Sequence, residues 1–137
     1  MIKLKIVLSL LLLCGIGLTA CGGGPDFEDI EWLLESYGKK GNLQPVLENS
    51  DVSATFDSAE GRVTGTAGCN QYFGGYEVED GSKIEISEIG NTEMWCEGLM
   101  DQETAFLAIL GDVVNYAVKD GKLSLTSGTS TLVFTRR

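Results

Sequence analysis

The chain is divided into short segments by turn-forming sequences about ten residues apart, and this spacing limits the fold more than any other feature. The turns lie at residues 59–62, 79–82 and 119–122, where the sequence reads AEGR, EDGS and KDGK. An Asp-Gly pair favours a tight two-residue hairpin, because glycine accepts the positive φ that such a turn needs. Short strands joined in this way predict an antiparallel barrel or sandwich.

Hydrophobic and polar side chains alternate between these turns, as in strands with one buried face. The apolar groups that share a face are Val52, Ala54 and Phe56; Ile84 and Ile86; Leu123 and Leu125; Leu132 and Phe134. Residues 29–37 (DIEWLLESY) fit a first strand with Trp32 and Leu34 inward. A helix with Ile30, Leu33 and Leu34 on one face fits the same residues, so periodicity alone leaves both open, and we favour the strand.

One segment, residues 101–114 (DQETAFLAILGDVV), departs from this alternation and has helical periodicity. The apolar positions on one helical face are Phe106, Ile109, Leu110 and Val113. Asp101 is the predicted N-cap, Glu103 lies in the first turn, and Gly111 marks the predicted end. The predicted fold class is therefore mainly β, with one short helix packed on or across the mouth of a barrel.

The first twenty residues have the pattern of an export signal. Lys3 and Lys5 precede an apolar run at residues 6–18 that is too short to span a bilayer comfortably. The run ends in LTAC, a small-residue cleavage site followed at once by Cys21, which resembles a lipoprotein lipobox. We interpret residues 1–20 as a lipoprotein signal peptide, with an ordinary secretory signal or a short membrane anchor as the alternative.

This interpretation divides the chain into three parts and predicts its location. Residues 21–29 form a lipidated N-terminus and a glycine-rich tether, and residues 30–137 form one domain. Lipidation of Cys21 predicts an exported protein anchored in a membrane. Gly22 is not the aspartate that retains lipoproteins at an inner membrane, so we expect the outer membrane if the cell has two.

Composition argues against several kinds of function. The chain has no histidine, which removes the usual base of a nucleophilic site and the commonest zinc ligand. A net charge of −10 disfavours nucleic-acid binding. We expect a monomer with no cofactor and no metal. A hydrolase built on serine, lysine or carboxylates remains a third and least favoured hypothesis.

Two of the four cysteines are left for the domain, since Cys14 leaves with the signal peptide and Cys21 is lipidated. An even pair in an exported chain favours a disulfide between Cys69 and Cys96. Two buried free thiols are the alternative. The glycines around Cys69 predict bulges or bends, with Asn70 in a left-handed backbone position. A structural role for Asn70, Gln71 and Tyr72 is favoured over a ligand-binding one.

Three stretches in this order closely resemble the META domain, also called the heat-shock protein HslJ-like domain: GRVTGTAGCNQYFGGYEV at 61–78, NTEMWCEGL at 91–99 and ETAFLAIL at 103–110. The resemblance covers the chain from about Glu31 to Phe134. The residues that match the family motif are Gly68, Cys69, Asn70, Tyr72, Gly74 or Gly75, Tyr76, Thr92, Met94 and Cys96. The motif residues outside the cysteines are expected to be structural.

The resemblance implies a lipocalin-like antiparallel barrel in a small exported protein or lipoprotein, in a family with no established enzymatic activity. We predict a non-catalytic, lipid-anchored envelope protein that acts in binding, envelope maintenance or stress tolerance. Its partners would be the membrane, through Cys21, and an unknown envelope protein. The alternative is a carrier of an apolar ligand or acyl chain inside the barrel, which would require an apolar cavity there.

Overall fold

The structure is a computed structural model that describes residues 25–137. The strands are β1 (Glu31–Lys39), β2 (Asn42–Pro45), β3 (Ser53–Asp57), β4 (Arg62–Thr66), β5 (Gln71–Glu79), β6 (Lys83–Asn91), β7 (Asn115–Lys119), β8 (Lys122–Thr126) and β9 (Ser130–Arg136). The helix α1 (Met100–Gly111) lies between β6 and β7. The predicted signal peptide and Cys21 lie outside the described residues.

The strands form one antiparallel sheet that closes in a ring. The order is β2-β1-β3-β4-β5-β6-β7-β8-β9, and β1 also pairs with β9 along most of its length. The first residues of β1 pair with β3 and its last residues with β2, so β2 is a side arm of the ring. The junction of β6 and β7 is short, with the single register pair Lys83 and Asn115. The predicted fold class is confirmed.

The hairpin turns lie where the sequence predicts them. In the β5–β6 turn both Asp80 (φ 30°) and Gly81 (φ 71°) have positive φ, and in the β7–β8 turn Asp120 (φ 53°) and Gly121 (φ 74°) do the same. The β7–β8 loop has two residues, and positive φ at both matches the strand twist of a two-residue hairpin. The β5–β6 loop has a third residue, Ser82, so it is one residue longer than predicted. These turns fix the register, and the side chains predicted to face inward on β3, β6, β8 and β9 are buried.

Packed side chains fill the interior of the ring. Two inward-facing residues of β5 lie toward its two opposite ends. Tyr72 packs edge to face on Phe106 of α1, with ring centroids 5.4 Å apart. Tyr76 packs in the same way on Phe56, at 5.2 Å. Two residues four positions apart on one face of a strand are about 13 Å apart. The ring therefore has an end near Tyr72, covered by α1, and an opposite end near Tyr76.

The helix covers its end of the ring with a face that includes two polar residues. Phe106 and Leu110 are buried, as predicted, and so are Gln102 and Glu103. The N-cap prediction was wrong: the cap residue is Leu99, which makes no side-chain cap hydrogen bond, and Asp101 lies inside the first turn. An acidic side chain there is still favourable, because it faces the positive end of the helix dipole. The helix ends at Gly111, as predicted.

The opposite end is closed by the segment that precedes β1. Phe27 is fully buried, 4.9 Å from the Phe56 ring and 4.7 Å from the Tyr116 ring, centroid to centroid. Its carbonyl accepts a hydrogen bond from Trp32 Nε1 at 2.8 Å. Phe27 lies in the range predicted as tether, yet it belongs to the core. Within residues 25–137, no helix has the length and apolar character needed to cross a membrane.

Candidate functional site

The loop of residues 92–99, between β6 and α1, lies at the helix-covered end and is joined covalently to the β4–β5 turn. Cys69 in that turn and Cys96 in the loop form a disulfide, with Cα atoms 5.8 Å apart. The predicted pairing is therefore present. Both cysteines are partly buried, and the bond connects segments 27 positions apart in the sequence.

Asn70, beside the disulfide, holds the same loop with its side-chain amide. Its Oδ1 accepts hydrogen bonds from the Thr92 hydroxyl at 2.9 Å and from the Met94 backbone N–H at 2.6 Å. Its Nδ2 donates to the Met94 carbonyl at 3.0 Å and to Glu103 Oε1 at 2.6 Å. Asn70 is only 1% exposed, so these bonds are shielded from water. The amide thus acts as a strand partner for the loop.

Glu103, on the buried face of α1, connects the helix to the β4–β5 turn. Its Oε2 accepts the backbone N–H of Asn70 at 2.7 Å and that of Cys69 at 3.2 Å. With the bond from Asn70 Nδ2, the carboxylate accepts three N–H groups. Hydrogen bonds to an ionised acceptor are the stronger kind, and they offset the cost of burying the charge. The role of Glu103 is therefore to hold the turn against the helix.

The motif residues outside this network also have structural contacts. Tyr72 is buried and donates its hydroxyl to the Ser53 carbonyl at 2.8 Å, and burial raises the pKa of its phenol. Tyr76 donates to Glu28 at 2.6 Å; burial, followed by this bond, raises its pKa too. The register of β5 shifts between Phe73 and Gly75, which is the predicted bulge.

The left-handed position in the turn belongs to Gly68 and not to Asn70. Gly68 has φ 111°, whereas Asn70 does not have a positive φ. A side chain at Gly68 would also come within 3.3 Å of Gln102 Nε2. The left-handed prediction for Asn70 was therefore wrong. The reason is that the Asn70 side chain holds the 92–99 loop, while Gly68, two positions earlier, makes the turn.

The tip of the braced loop presents two large apolar side chains to solvent. Trp95 is 75% exposed and Met94 is 59% exposed. The backbone of Met94 has the structural role expected of this motif residue, because it pairs with the Asn70 amide. The Met94 side chain is exposed. Behind Trp95, the Cys96 N–H donates to the Met100 sulfur at 3.3 Å. The loop and α1 enclose a surface groove of about 470 Å³, lined by Met94, Trp95, Met100 and Leu107 among others.

The sequence did not single out Trp95, Met100 or Glu103 as members of a common site. Trp95 lies within the stretch NTEMWCEGL, but its exposure depends on the path of the loop. Glu103 was expected in the first turn of a helix, and nothing local signals that its carboxylate points inward. Among residues 25–137, no group of three or more Cys, Asp or Glu side chains is placed to hold a metal ion.

Three solved structures have a fold similar to that of this chain. An NMR structure of a protein from Burkholderia xenovorans is 24% identical, with a TM-score of 0.69, covering 81% of this chain and 83% of that one. A second NMR structure is 18% identical, with a TM-score of 0.62 and coverage of 80% and 90%. A DUF4847-family protein from Bacteroides vulgatus is 15% identical, with a TM-score of 0.58 and coverage of 80% and 94%.

These likenesses establish the fold and no more. Among curated proteins, none matches the chain. The family model of the META domain matches residues 25–137, a range that begins just before Phe27 and contains the disulfide, the Asn70 network and α1. The match starts where the core starts, so it supports counting Phe27 in the domain. The chain belongs to the META domain family.

Proposed function

We propose that this protein is a non-catalytic, lipid-anchored envelope protein that binds a partner through the 92–99 loop. The observation that carries the proposal is the 75% exposure of Trp95 on a loop held by a disulfide and by the Asn70 network. Holding an exposed tryptophan in place costs conformational entropy and gains no burial within the monomer. Such a residue is a typical anchor of a binding surface, where aromatic side chains carry much of the affinity.

The position of Phe27 supports an arrangement in which this loop faces away from the membrane. Pro25 lies four positions after Cys21, so the chain between them can reach at most about 14 Å. Phe27 fixes the following chain at the end of the ring opposite α1. A lipid on Cys21 would then hold that end close to the bilayer. The 92–99 loop, at the helix-covered end, would face solvent or the next layer of the envelope.

A filled interior supports the binding role over the carrier role. Phe27 packs on Phe56 toward one end of the ring and Tyr72 packs on Phe106 toward the other, and each of these side chains is at most 2% exposed. The groove beside Val113 and the groove beside Trp95 both open at the surface. An acyl chain could enter only by displacing these side chains, and close-packed cores resist such changes. We therefore do not favour the carrier.

The proposal of a non-catalytic role is supported by what the polar residues do. Glu103 accepts three N–H groups that hold the β4–β5 turn, so it lies within the scaffold. The chain has no histidine to serve as a base for a nucleophile. The disulfide removes Cys69 and Cys96 from nucleophilic chemistry.

The anchor is tested by replacing Cys21 with serine. We expect the wild-type protein to partition into detergent and to have an acylated N-terminus at Cys21, whereas Cys21→Ser should be released or mislocalised. Mass spectrometry of the native N-terminus decides the point. A mature chain that begins at any other residue would overturn the anchoring proposal while leaving the binding proposal open.

Binding through the loop is tested by site-specific photo-cross-linking in intact cells. A benzophenone amino acid at position 95 should give a discrete cross-linked product. The control is the same group at Phe73, which is 47% exposed on the outer surface of β5. No product from position 95, or the same products from both positions, would contradict the proposed binding site.

A further inference from the structure

The groove beside Trp95 has a lining suited to an apolar side chain of variable shape. Met94 and Met100 contribute flexible thioethers, and Trp95 and Leu107 complete the apolar part of the wall. Methionine adapts its rotamers to different partners and is common on surfaces that bind varied sequences. The volume of the groove, about 470 Å³, is large enough for one or two large side chains. The groove thus favours insertion of apolar side chains from a partner.

The segment that supplies most of the groove lining carries acidic side chains and no basic ones. Between Lys83 and Lys119 the sequence contains no lysine or arginine. Glu93 lines the groove and Glu97 follows on the same loop, and both are exposed. The ion pairs among residues 25–137 are Lys122 with Glu35 and Arg137 with Glu31, so neither loop carboxylate is in one. The negative charges of Glu93 and Glu97 can therefore attract a cationic partner.

We propose that the groove binds a cationic amphipathic peptide segment, in which a large apolar side chain is flanked by lysine or arginine. This rests on the proposed function and specifies the partner of the same loop. The apolar side chain enters between Trp95 and Leu107, and the flanking cations face Glu93 and Glu97. A guanidinium or ammonium group can also lie on the face of Trp95, where the ring attracts cations.

The same charges discriminate against other ligands. Phosphate backbones and anionic lipid headgroups carry the sign that Glu93 and Glu97 repel. An uncharged apolar ligand would fill the groove but would gain nothing from the carboxylates. A basic segment satisfies both the apolar lining and the acidic rim, which is why the peptide is the occupant to which the structure points.

The experiment uses the full chain in nanodiscs of zwitterionic phosphatidylcholine, and empty nanodiscs give the background. Trp95 is the reporter, because the other tryptophan, Trp32, is fully buried. Short peptides that alternate leucine with lysine should shift the Trp95 emission to the blue in a saturable way. Matched peptides with glutamate or glutamine in place of lysine should bind weakly. The signal should disappear in Trp95→Phe.

Charge variants test the rim directly. Glu93→Gln with Glu97→Gln should weaken binding of the lysine peptide about three- to tenfold, as expected for two exposed charge pairs. Glu77→Gln with Glu79→Gln makes the same change in net charge at the far end of β5 and should weaken it about twofold or less. All four side chains are exposed, and circular dichroism should show unchanged folding.

Three results would overturn the inference: no saturable shift with lysine peptides, equal affinity for the glutamine peptides, or equal losses in the two double variants. A shift caused by added phosphatidylcholine vesicles and by no peptide would assign the groove to a lipid surface. Cross-linking at position 95 in cells together with any of these results would leave the binding function standing and reject only the cationic partner. Peptide binding in nanodiscs without a cross-link in cells would reject the binding function instead.

Discussion

At the scale of single residues, Asn70 and Glu103 explain how an irregular loop is held as firmly as a strand. The Asn70 amide uses both its donor and its acceptor on the backbone of Met94, the pattern of a strand pair. Glu103 in turn holds Asn70 through its backbone and its side chain. In the described part of the chain, every buried side-chain nitrogen and oxygen has a hydrogen-bond partner. The position of Trp95 depends on this network.

We predict that Glu103→Gln destabilises the fold although the two side chains have nearly the same shape. Glutamine keeps one acceptor oxygen and places an NH₂ group against an N–H donor of Cys69 or Asn70. The loss should be about 2–4 kcal/mol, because a buried donor is left unsatisfied and a charge-assisted bond is lost. Urea unfolding measures it.

The matched control is Glu97→Gln, at an exposed acid on the neighbouring loop. It should change the free energy of unfolding by about 0.5 kcal/mol or less. Equal stability of the Glu103→Gln variant and the wild type would show that the carboxylate does not hold the turn.

Some of these residue roles could be predicted from the sequence, and others could not. The structural role of Gly68, Cys69 and Asn70 could be predicted, since their spacing forms a recognisable motif. The partner of Asn70 could not, because Glu103 lies 33 positions away and reads as an ordinary first-turn acid. Long-range polar pairs leave no periodic signal in a single sequence.

At the scale of elements, the strands were predictable and the loops between them were less so. Asp-Gly turns fix both the register and the inward face of their strands, so the buried residues of β6 and β8 followed directly. The start of α1 did not, because Leu99 caps it without a side-chain bond and Asp101 resembles a better cap. The exposed loop tip follows from tertiary contacts that sequence patterns do not encode.

The disulfide should contribute more to stability than any single hydrogen bond of the loop. Closing a loop between residues 27 positions apart is worth about 3.5 kcal/mol on the chain-entropy model. We expect Cys69→Ser with Cys96→Ser to lower the free energy of unfolding by about this amount. Denaturant unfolding measures the change.

Reduction of the wild type should reproduce the loss, while the double serine variant should not respond to reductant. The emission of Trp95 should report a less ordered loop in both cases, since the disulfide and the Asn70 network hold the loop together. A double variant as stable as the wild type, with an unchanged Trp95 signal, would mean that the hydrogen bonds alone position the loop.

At the scale of the whole molecule, the ring is stabilised by closing both ends. The helix covers one end with Phe106 and Leu110, and Phe27 fills the other. The first closure was predicted from helical periodicity. The second was not, because the GGGPD sequence just before Phe27 has the composition of a tether, and one aromatic residue carries no periodicity of its own.

The buried tyrosines predict a loss of stability at alkaline pH. Burial raises the pKa of Tyr72, and burial with the Glu28 bond raises that of Tyr76, above the ordinary value of 10.0. A raised folded-state pKa gives stability that is complete below the unfolded pKa and is lost as pH rises further. Each unit of pH above 10 should therefore cost up to about 1.4 kcal/mol at Tyr72.

Urea unfolding at several pH values checks this, with phenolate absorbance recorded in parallel. The free energy of unfolding should fall from about pH 10 upward. Tyr76→Phe should make the fall less steep. If the Tyr72 and Tyr76 phenols ionised fully while the near-ultraviolet circular dichroism stayed native, the explanation by burial would be wrong.

The closure by Phe27 also sets how the molecule would carry mechanical load. With the lipid as one attachment and a partner on the 92–99 loop as the other, tension would enter through Phe27 and pass into β1 along the strand axis. β1 pairs with β9 from Trp32 to Lys39 and with β3 beside it, so those hydrogen bonds would be sheared together and not unzipped singly. Parallel loading of many bonds resists extension, which suits a protein that would connect a membrane to a partner held apart from it.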